Sequence, residues 1–323
     1  MPDSTALVPV PHSAALARYA EQAHTYAAAS KAPNTQRAYR ADWASFTRFC
    51  ADHGAVSLPA EPQTVALYAT ALAASGRLKA NTITRRLSAI SQAHQLAGLA
   101  SPAREPLVRT VMAGIRRVHG TAAQAKAPLS PELLRRLLAH IPDDLRGRRD
   151  RALLLVGFAG AFRRSELVAL RLEDVAFVPE GLVVTISQSK TDPEGAGQAI
   201  GIPYGKEEAT CPVRALRAWF DSSGITGGAI FRAVDRWTGI SNRAIEDHRV
   251  PRIIKQLAAR AGLDAAAFAA HSLRSGMATA AAEGGATERA IMDQTRHRSL
   301  KQVRRYIRRG SLFRDNPVAS TTL

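Results

Sequence analysis

The sequence predicts a mainly α-helical protein of two domains, the second carrying a small β-hairpin or sheet. Three observations predict it. Apolar residues recur at helical spacing along most of the chain. One stretch, HGTAAQAKAP (119–128), is small, polar and aperiodic, as a linker is. One segment, LVVTIS (182–187), alternates like a strand, and the glycine-rich DPEGAGQ separates it from AIGIP, as in a hairpin. At 323 residues, 46% of them apolar, the chain can bury a core in each domain.

The elements follow in order. Residues 1–13 hold three prolines and are expected to form a loose arm ahead of a helical domain over 14–118. Tyr39, Trp43, Phe46 and Cys50 fall on one helical face with Arg37 and Arg48 opposite, and Asn34, just after Pro33, is expected to cap that helix. A second such helix begins at Asn81, with Ile83, Leu87, Ile90 and His94 on one face and Arg85 pointing away. A third spans Leu107 to Arg117. After the linker, 129–323 opens with SPELLRRLLAH, where Ser130 serves as N-cap and Pro131 as first helical residue. Near the end Leu300, Val303 and Ile307 form an apolar stripe, with Tyr306 about a quarter turn away. No internal repeat is present.

Composition narrows the function. Lys and Arg total 44 against 27 acids, a net charge of +17, which points to a polyanion, nucleic acid first. Two cysteines, Cys50 and Cys211, are too few for a disulfide framework or a cysteine metal site and fit a reducing compartment. The amino terminus lacks a signal-peptide pattern, and the longest apolar run, 152–162, is too short to span a membrane. A cytoplasmic, nucleoid-associated protein is expected.

Five short stretches could carry chemistry, and most have an ordinary structural reading when taken singly. In GAFRRSELVAL (160–170), Arg163 and Glu166 share a helical face, as a surface ion pair would. In SQSKTD (187–192), Lys190 follows a strand, where most lysines only solubilise an edge. In AAHSLRSGMATA (269–280), His271 and Arg274 point into one space amid small residues, and a buried Arg and His there need partners or an anion. His297 and, nine residues later, Tyr306 stand in TRHRSLKQVRRYIRRG, where seven of the fourteen side chains from 296 to 309 are Arg or Lys, so the phenol is ringed by positive charge. A half-buried tyrosine with a wet hydroxyl is the ordinary alternative.

Together and in this order, Arg, Lys, His-x-x-Arg, His and Tyr resemble the tyrosine recombinase (phage integrase) family, and its Cre-like members most of all. The resemblance runs from about residue 30 to about residue 310, and in the first domain it takes in 58–72, 79–99 and 111–117. It implies a helical core-binding domain and a catalytic domain closed as a C-shaped clamp on double-stranded DNA. It implies that Tyr306 attacks a phosphodiester to leave a 3′-phosphotyrosyl link and a free 5′-hydroxyl. Arg163, Arg274 and His297 would hold the non-bridging oxygens, His271 would assist proton transfer, Lys190 would protonate the leaving oxygen, and Glu166 would support the site. The residue types suit that chemistry, because guanidinium forks match phosphate oxygens and nearby cations favour a phenolate. No DxDxDG loop, HExxH or evident acidic triad is present, and no cofactor or metal is expected.

By the same resemblance, Thr35, Arg37, Asn81, Thr82, Arg85, Arg86 and Arg243 are candidate DNA contacts. Arg243 lies in SNRAIE (241–246), whose counterpart reads a guanine. The segment 308–323 places Leu312 and Phe313 on a chain end, as a tail passed between subunits would, so a homotetramer on an inverted-repeat DNA site and a monomer when free are expected. The family usually has a small residue, often glycine, where Arg296 stands, and the arginine would either alter the turn or add a phosphate contact. The expected function is site-specific recombination through a Holliday junction. A type IB topoisomerase and a catalytically silent DNA binder remain alternatives.

Overall fold

The computed structural model describes residues 30–121, 126–186 and 197–297, with positions 19, 21–23, 25–26, 299–300, 303–304, 306–307 and 318. The expected arm at 1–13, the hairpin tip with Lys190, and the tail residues Leu312 and Phe313 lie outside them. The chain divides into two compact units, 1–124 and 125–323.

The first unit is helical: α1 (Pro33–Asp52), α2 (Pro62–Ala74), α3 (Ala80–Leu96) and α4 (Pro106–His119). Their apolar faces meet in a core that includes Trp43, Phe46, Tyr68, Ile83, Ile90 and Met112. Burying an aromatic side chain such as Phe46 contributes roughly 2–3 kcal/mol. His94, on the expected face of α3, is buried with both ring nitrogens used: Nε2 accepts from the Ala60 N–H at 2.9 Å, and Nδ1 donates to the Ile90 carbonyl at 2.9 Å. Asn34 does not cap α1. The cap position is Ala32, because the fixed φ of Pro33 suits the first helical turn. The Asn34 carboxamide accepts instead from Arg37 Nη1 at 3.0 Å.

The second unit opens with α5 (Pro131–Ala139), where Ser130 Oγ accepts from the Leu133 N–H at 3.2 Å as expected. Then come α6 (Leu145–Ala159), α7 (Arg164–Ala169), β1 (Val175–Val178), β2 (Gly181–Ile186) and β3 (Gln198–Pro203). The three strands form an antiparallel sheet in the order β1-β2-β3, with Leu182 opposite Ile202 and Val184 opposite Ile200 on its buried face. α8 (Pro212–Ser223), a second small sheet of β4 (Arg232–Val234) and β5 (Ile240–Ala244), and α9 (Arg249–Arg260) lead to α10 (His271–Glu283) and α11 (Glu288–Thr295). One core links Leu153, Phe162, Trp219, Phe231, Ile254 and Leu273.

The sequence pattern finds the β2–β3 hairpin but not β1 or the β4–β5 pair. VAFV is apolar at every position, and β4 has three residues, too few for alternation to show. The final stripe also differs from expectation. Val303 is fully buried and Ile307 half-buried, but Leu300 is 46% exposed at the start of its helical segment.

Candidate active site

The site forms where α6 ends. After Ala159 the chain turns through Ala161, whose φ of 45° is left-handed, and Arg163 then caps α7. Glu166, in the first turn of α7, accepts from the Arg163 backbone N–H at 2.8 Å and from Arg163 Nη1 at 2.5 Å. The predicted pair therefore exists, as a cap-to-helix bracket rather than a surface ion pair. Glu166 is 6% exposed. Burial raises its pKa, but the Arg163 N–H, the Arg296 charge and the Arg163 guanidinium outweigh that and hold it below the usual carboxylate range.

His271 and Arg274 sit in the first turn of α10. That helix runs close to the segment before α5: Leu129 N–H donates to the Ser272 carbonyl at 2.9 Å, and a Cβ on Gly276 would lie 1.9 Å from the Leu129 oxygen. Glycine at 276 is what allows this approach. Arg274 is 1% exposed. Its Nη1 donates to the Ala161 carbonyl at 2.7 Å, and its buried Nη2 has no hydrogen-bond partner among the described residues. Burial, followed by the charges of Arg163 and Arg296, pushes its pKa down to about 9. A desolvated cation with a free donor is set to receive an anion.

α11 ends at Arg296, in the left-handed conformation with φ 55° and ψ 44°. The next residue, His297, directs Nδ1 at Thr295 Oγ1, 2.7 Å away. Burial first, then the charges of Arg274 and Arg163, push the His297 pKa down to about 4. Tyr306 is helical and half-buried beside Ala278, Ile291 and Val303. Its hydroxyl lies 2.9 Å from His271 Nε2, and its ring centre is 5.7 Å from that of His297. Burial and the charges of Arg274 and Arg163 also lower the His271 pKa, so its neutral ring can accept the phenol proton.

Arg163, Glu166, His271, Arg274, His297 and Tyr306 thus gather in one place. Three guanidinium groups, those of Arg163, Arg274 and Arg296, face one carboxylate there, leaving an excess of positive charge over an unpartnered donor. Among the described residues no group of His, Cys, Asp or Glu is placed to hold a metal ion.

Of the DNA-contact candidates, Arg37, Asn81 and Arg243 are exposed, and Thr35 and Thr82 are half-buried. Arg85 pairs with the buried Asp42 at 2.8 Å. Arg86 turns inward, with Nη1 donating to Ser45 Oγ at 2.7 Å and to the Tyr68 hydroxyl at 3.1 Å. Pattern reading passes over Asp42, Thr295 and the inward role of Arg296. Asp42 lies next to the Trp43 face, but only the tertiary fold brings α3 to it. At 296 the arginine occupies a left-handed turn and aims its guanidinium into the protein, at the Gly160 and Ala161 carbonyls and at Glu166.

Residues 128–311 match the Phage integrase family, and residues 24–98 match the Phage integrase, N-terminal SAM-like domain. An integrase/recombinase xerD homolog from Selenomonas ruminantium is 45% identical over 292 residues, covering 89% of this chain and 85% of that protein. Solved structures share the fold at lower identity. The Tn1549 transposon integrase in complex with transposon right end DNA has a TM-score of 0.62 at 16% identity, covering 89% of this chain and 92% of that one. A lambda integrase dimer bound to a COC′ core site has a TM-score of 0.59 at 16% identity, covering 90% and 75%. The chain belongs to the phage integrase family of tyrosine recombinases. It is a site-specific recombinase, similar to XerD.

Proposed function

We propose that this recombinase cuts and rejoins double-stranded DNA through Tyr306. The Tyr306 oxygen attacks the scissile phosphorus and passes its proton to His271. The bond from phosphorus to the 5′-oxygen breaks, and Lys190 protonates that oxygen. The products are a 3′-phosphotyrosyl link and a free 5′-hydroxyl. A 5′-hydroxyl from the partner strand then reverses the step, and no ATP is consumed because the phosphotyrosyl link conserves the ester bond. Arg163, Arg274 and His297 hold the non-bridging oxygens, and Glu166 keeps Arg163 aimed.

The carrying observation is the buried, unpartnered Arg274 Nη2 in the same site as a Tyr306 hydroxyl 2.9 Å from His271. A diester attacked by a phenolate passes through a state of two negative charges, which the excess cationic charge of the site fits. Neighbours of the same fold solved with DNA support a DNA partner, with the exposed Arg37, Asn81 and Arg243 and the half-buried Thr35 and Thr82 as contacts and Arg85 and Arg86 held by Asp42. The core-binding unit at 14–118 and the catalytic unit at 129–323 both bind the duplex, and four chains exchange strands through a Holliday junction in a Cre-like course. Topoisomerase and silent-binder readings gain no specific support.

The test is to incubate the protein with nicked duplex fragments of its source DNA, denature, and look for covalent protein–DNA adducts. Wild type should form them and Tyr306→Phe should not, while both bind DNA alike. An adduct that survives Tyr306→Phe would mean another nucleophile. Binding without any adduct on nicked substrates would leave only the silent binder.

A further inference from the structure

Arg296 stands at the conformation that suits glycine best, yet its side chain is almost wholly buried, at 5% exposure. An arginine in a left-handed turn carries a conformational cost that the surroundings must offset. Here they do so with an unusual set of contacts. Nη1 donates to the Gly160 carbonyl at 3.0 Å and to the Gln294 carbonyl at 2.8 Å. Nη2 donates to the Ala161 carbonyl at 3.0 Å and to Glu166 Oε2 at 3.1 Å. The guanidinium lies over the Phe162 ring, 5.1 Å from its centre.

Two of these acceptors, the Ala161 carbonyl and Glu166, also hold other cations of the site. The Gly160 and Ala161 carbonyls follow the end of α6, where helix carbonyls lack partners and the helix dipole favours positive charge. Ala161 O is shared with Arg274 Nη1, so the same oxygen fixes both guanidinium groups. Glu166 is shared with Arg163, and the Arg296 carbonyl accepts from Arg163 Nη2 at 3.3 Å. The left-handed turn also sets the direction in which His297 leaves α11.

We propose that Arg296 is a positioning residue. It clamps the left-handed Ala161 turn and Glu166 together, and through them it holds Arg163 and Arg274 in the geometry that receives the phosphate. This rests on the recombinase reading above. Its side chain does not touch DNA and acts only through its neighbours. Two components are separable: the clamp on the carbonyls, which needs the two-pronged guanidinium, and the charge beside Glu166, which any cation supplies.

The experiment measures single-turnover adduct formation on the same pooled nicked DNA for wild type, Arg296→Gly and Arg296→Lys, with Tyr306→Phe as blank, DNA affinity measured separately and each variant checked by circular dichroism. Glycine should ease the turn but remove both components. Its cleavage rate should fall by about 10²-fold with DNA affinity nearly unchanged. The acid limb of its pH–rate profile should move to higher pH, because Glu166 and His297 both lose the cationic neighbour that lowers their pKa, Glu166 keeping Arg163 and, further off, Arg274. Lysine should also cleave slowly but keep the wild-type acid limb. If Arg296→Gly does not fold, the lysine variant decides alone: a slow rate on an unshifted limb supports the role. Either variant cleaving within about twofold of wild type overturns it. Absence of adduct in wild type itself would bring down the recombinase reading first, and the role of Arg296 with it.

Discussion

His297 resists taking up a proton in the free protein and favours it once a phosphate is bound. In the free protein, burial and the charges of Arg274, Arg163, His271 and Arg296 push its pKa down to about 4, against about 6.5 in an unfolded chain. A depressed histidine contributes stability above the unfolded value and loses it as pH falls through the folded one. The residue should therefore cost the DNA-free protein about 3 kcal/mol between those limits. Urea midpoints taken across that range should decline, and His297→Gln should flatten part of the decline. DNA reverses the sign. Thr295 Oγ1 donates to the Ile291 carbonyl at 2.5 Å, so its lone pair accepts from His297 Nδ1–H and leaves Nε2 bare. To hydrogen-bond a phosphate oxygen that nitrogen must gain a proton, which the phosphate charge favours. Binding should take up protons, and calorimetry in buffers of different ionisation enthalpy would register it. At this scale the gathering of Arg163, Glu166, His271, Arg274, His297 and Tyr306 was readable because their identities and order are the signal. Thr295 and the inward turn of Arg296 were not, since nothing in TRHRSL distinguishes an arginine facing DNA from one facing carbonyls.

Helices set the distances between those side chains, and the tightest control lies in α10. His271 and Arg274 are carried by a helix whose backbone abuts Leu129, and Gly276 has no room for a Cβ against that residue's carbonyl. Gly276→Ala must push α10 outward or distort the segment before α5. Such overpacking costs about 1–3 kcal/mol. A lower denaturant midpoint together with slowed cleavage would establish the clamp, and an unchanged midpoint would refute it. Of the first unit, α1, α3 and α4 were legible, as were α5 and the β2–β3 hairpin, because periodicity, alternation or capping residues mark each, whereas α2 was not read as a helix. The cap of α1 was misplaced by two residues because proline and asparagine side by side both signal a helix start, and the proline's fixed φ decided between them. The short strands β1, β4 and β5 were lost because their pairing partners, rather than their own patterns, make them strands.

For the whole chain the informative quantity is charge. A net +17 is more than the site needs, and part of it lies on exposed side chains outside the site: Arg37 and Arg48 on α1, Arg116 and Arg117 at the end of α4, Arg243 on β5. If these bind duplex phosphates, each releases a condensed counterion, and affinity must fall with salt in proportion to their number. Contact with 6–10 phosphates predicts a loss of about 10³–10⁵-fold in affinity between about 50 and 200 mM salt. Tyr306→Phe should show the same slope as wild type, since a phenol releases no counterion. Replacing Arg37 or Arg243 should reduce the slope by about one unit if the residue touches phosphate. A residue that reads a base edge should instead weaken some sequences more than others, by about 1–3 kcal/mol at the position read. Arg86, enclosed by Asp42, Ser45 and Tyr68, should leave the slope alone and lower the folding stability of the first unit instead. A salt-independent affinity would contradict the assignment of this charge to DNA and would leave it to another polyanion or to solubility alone.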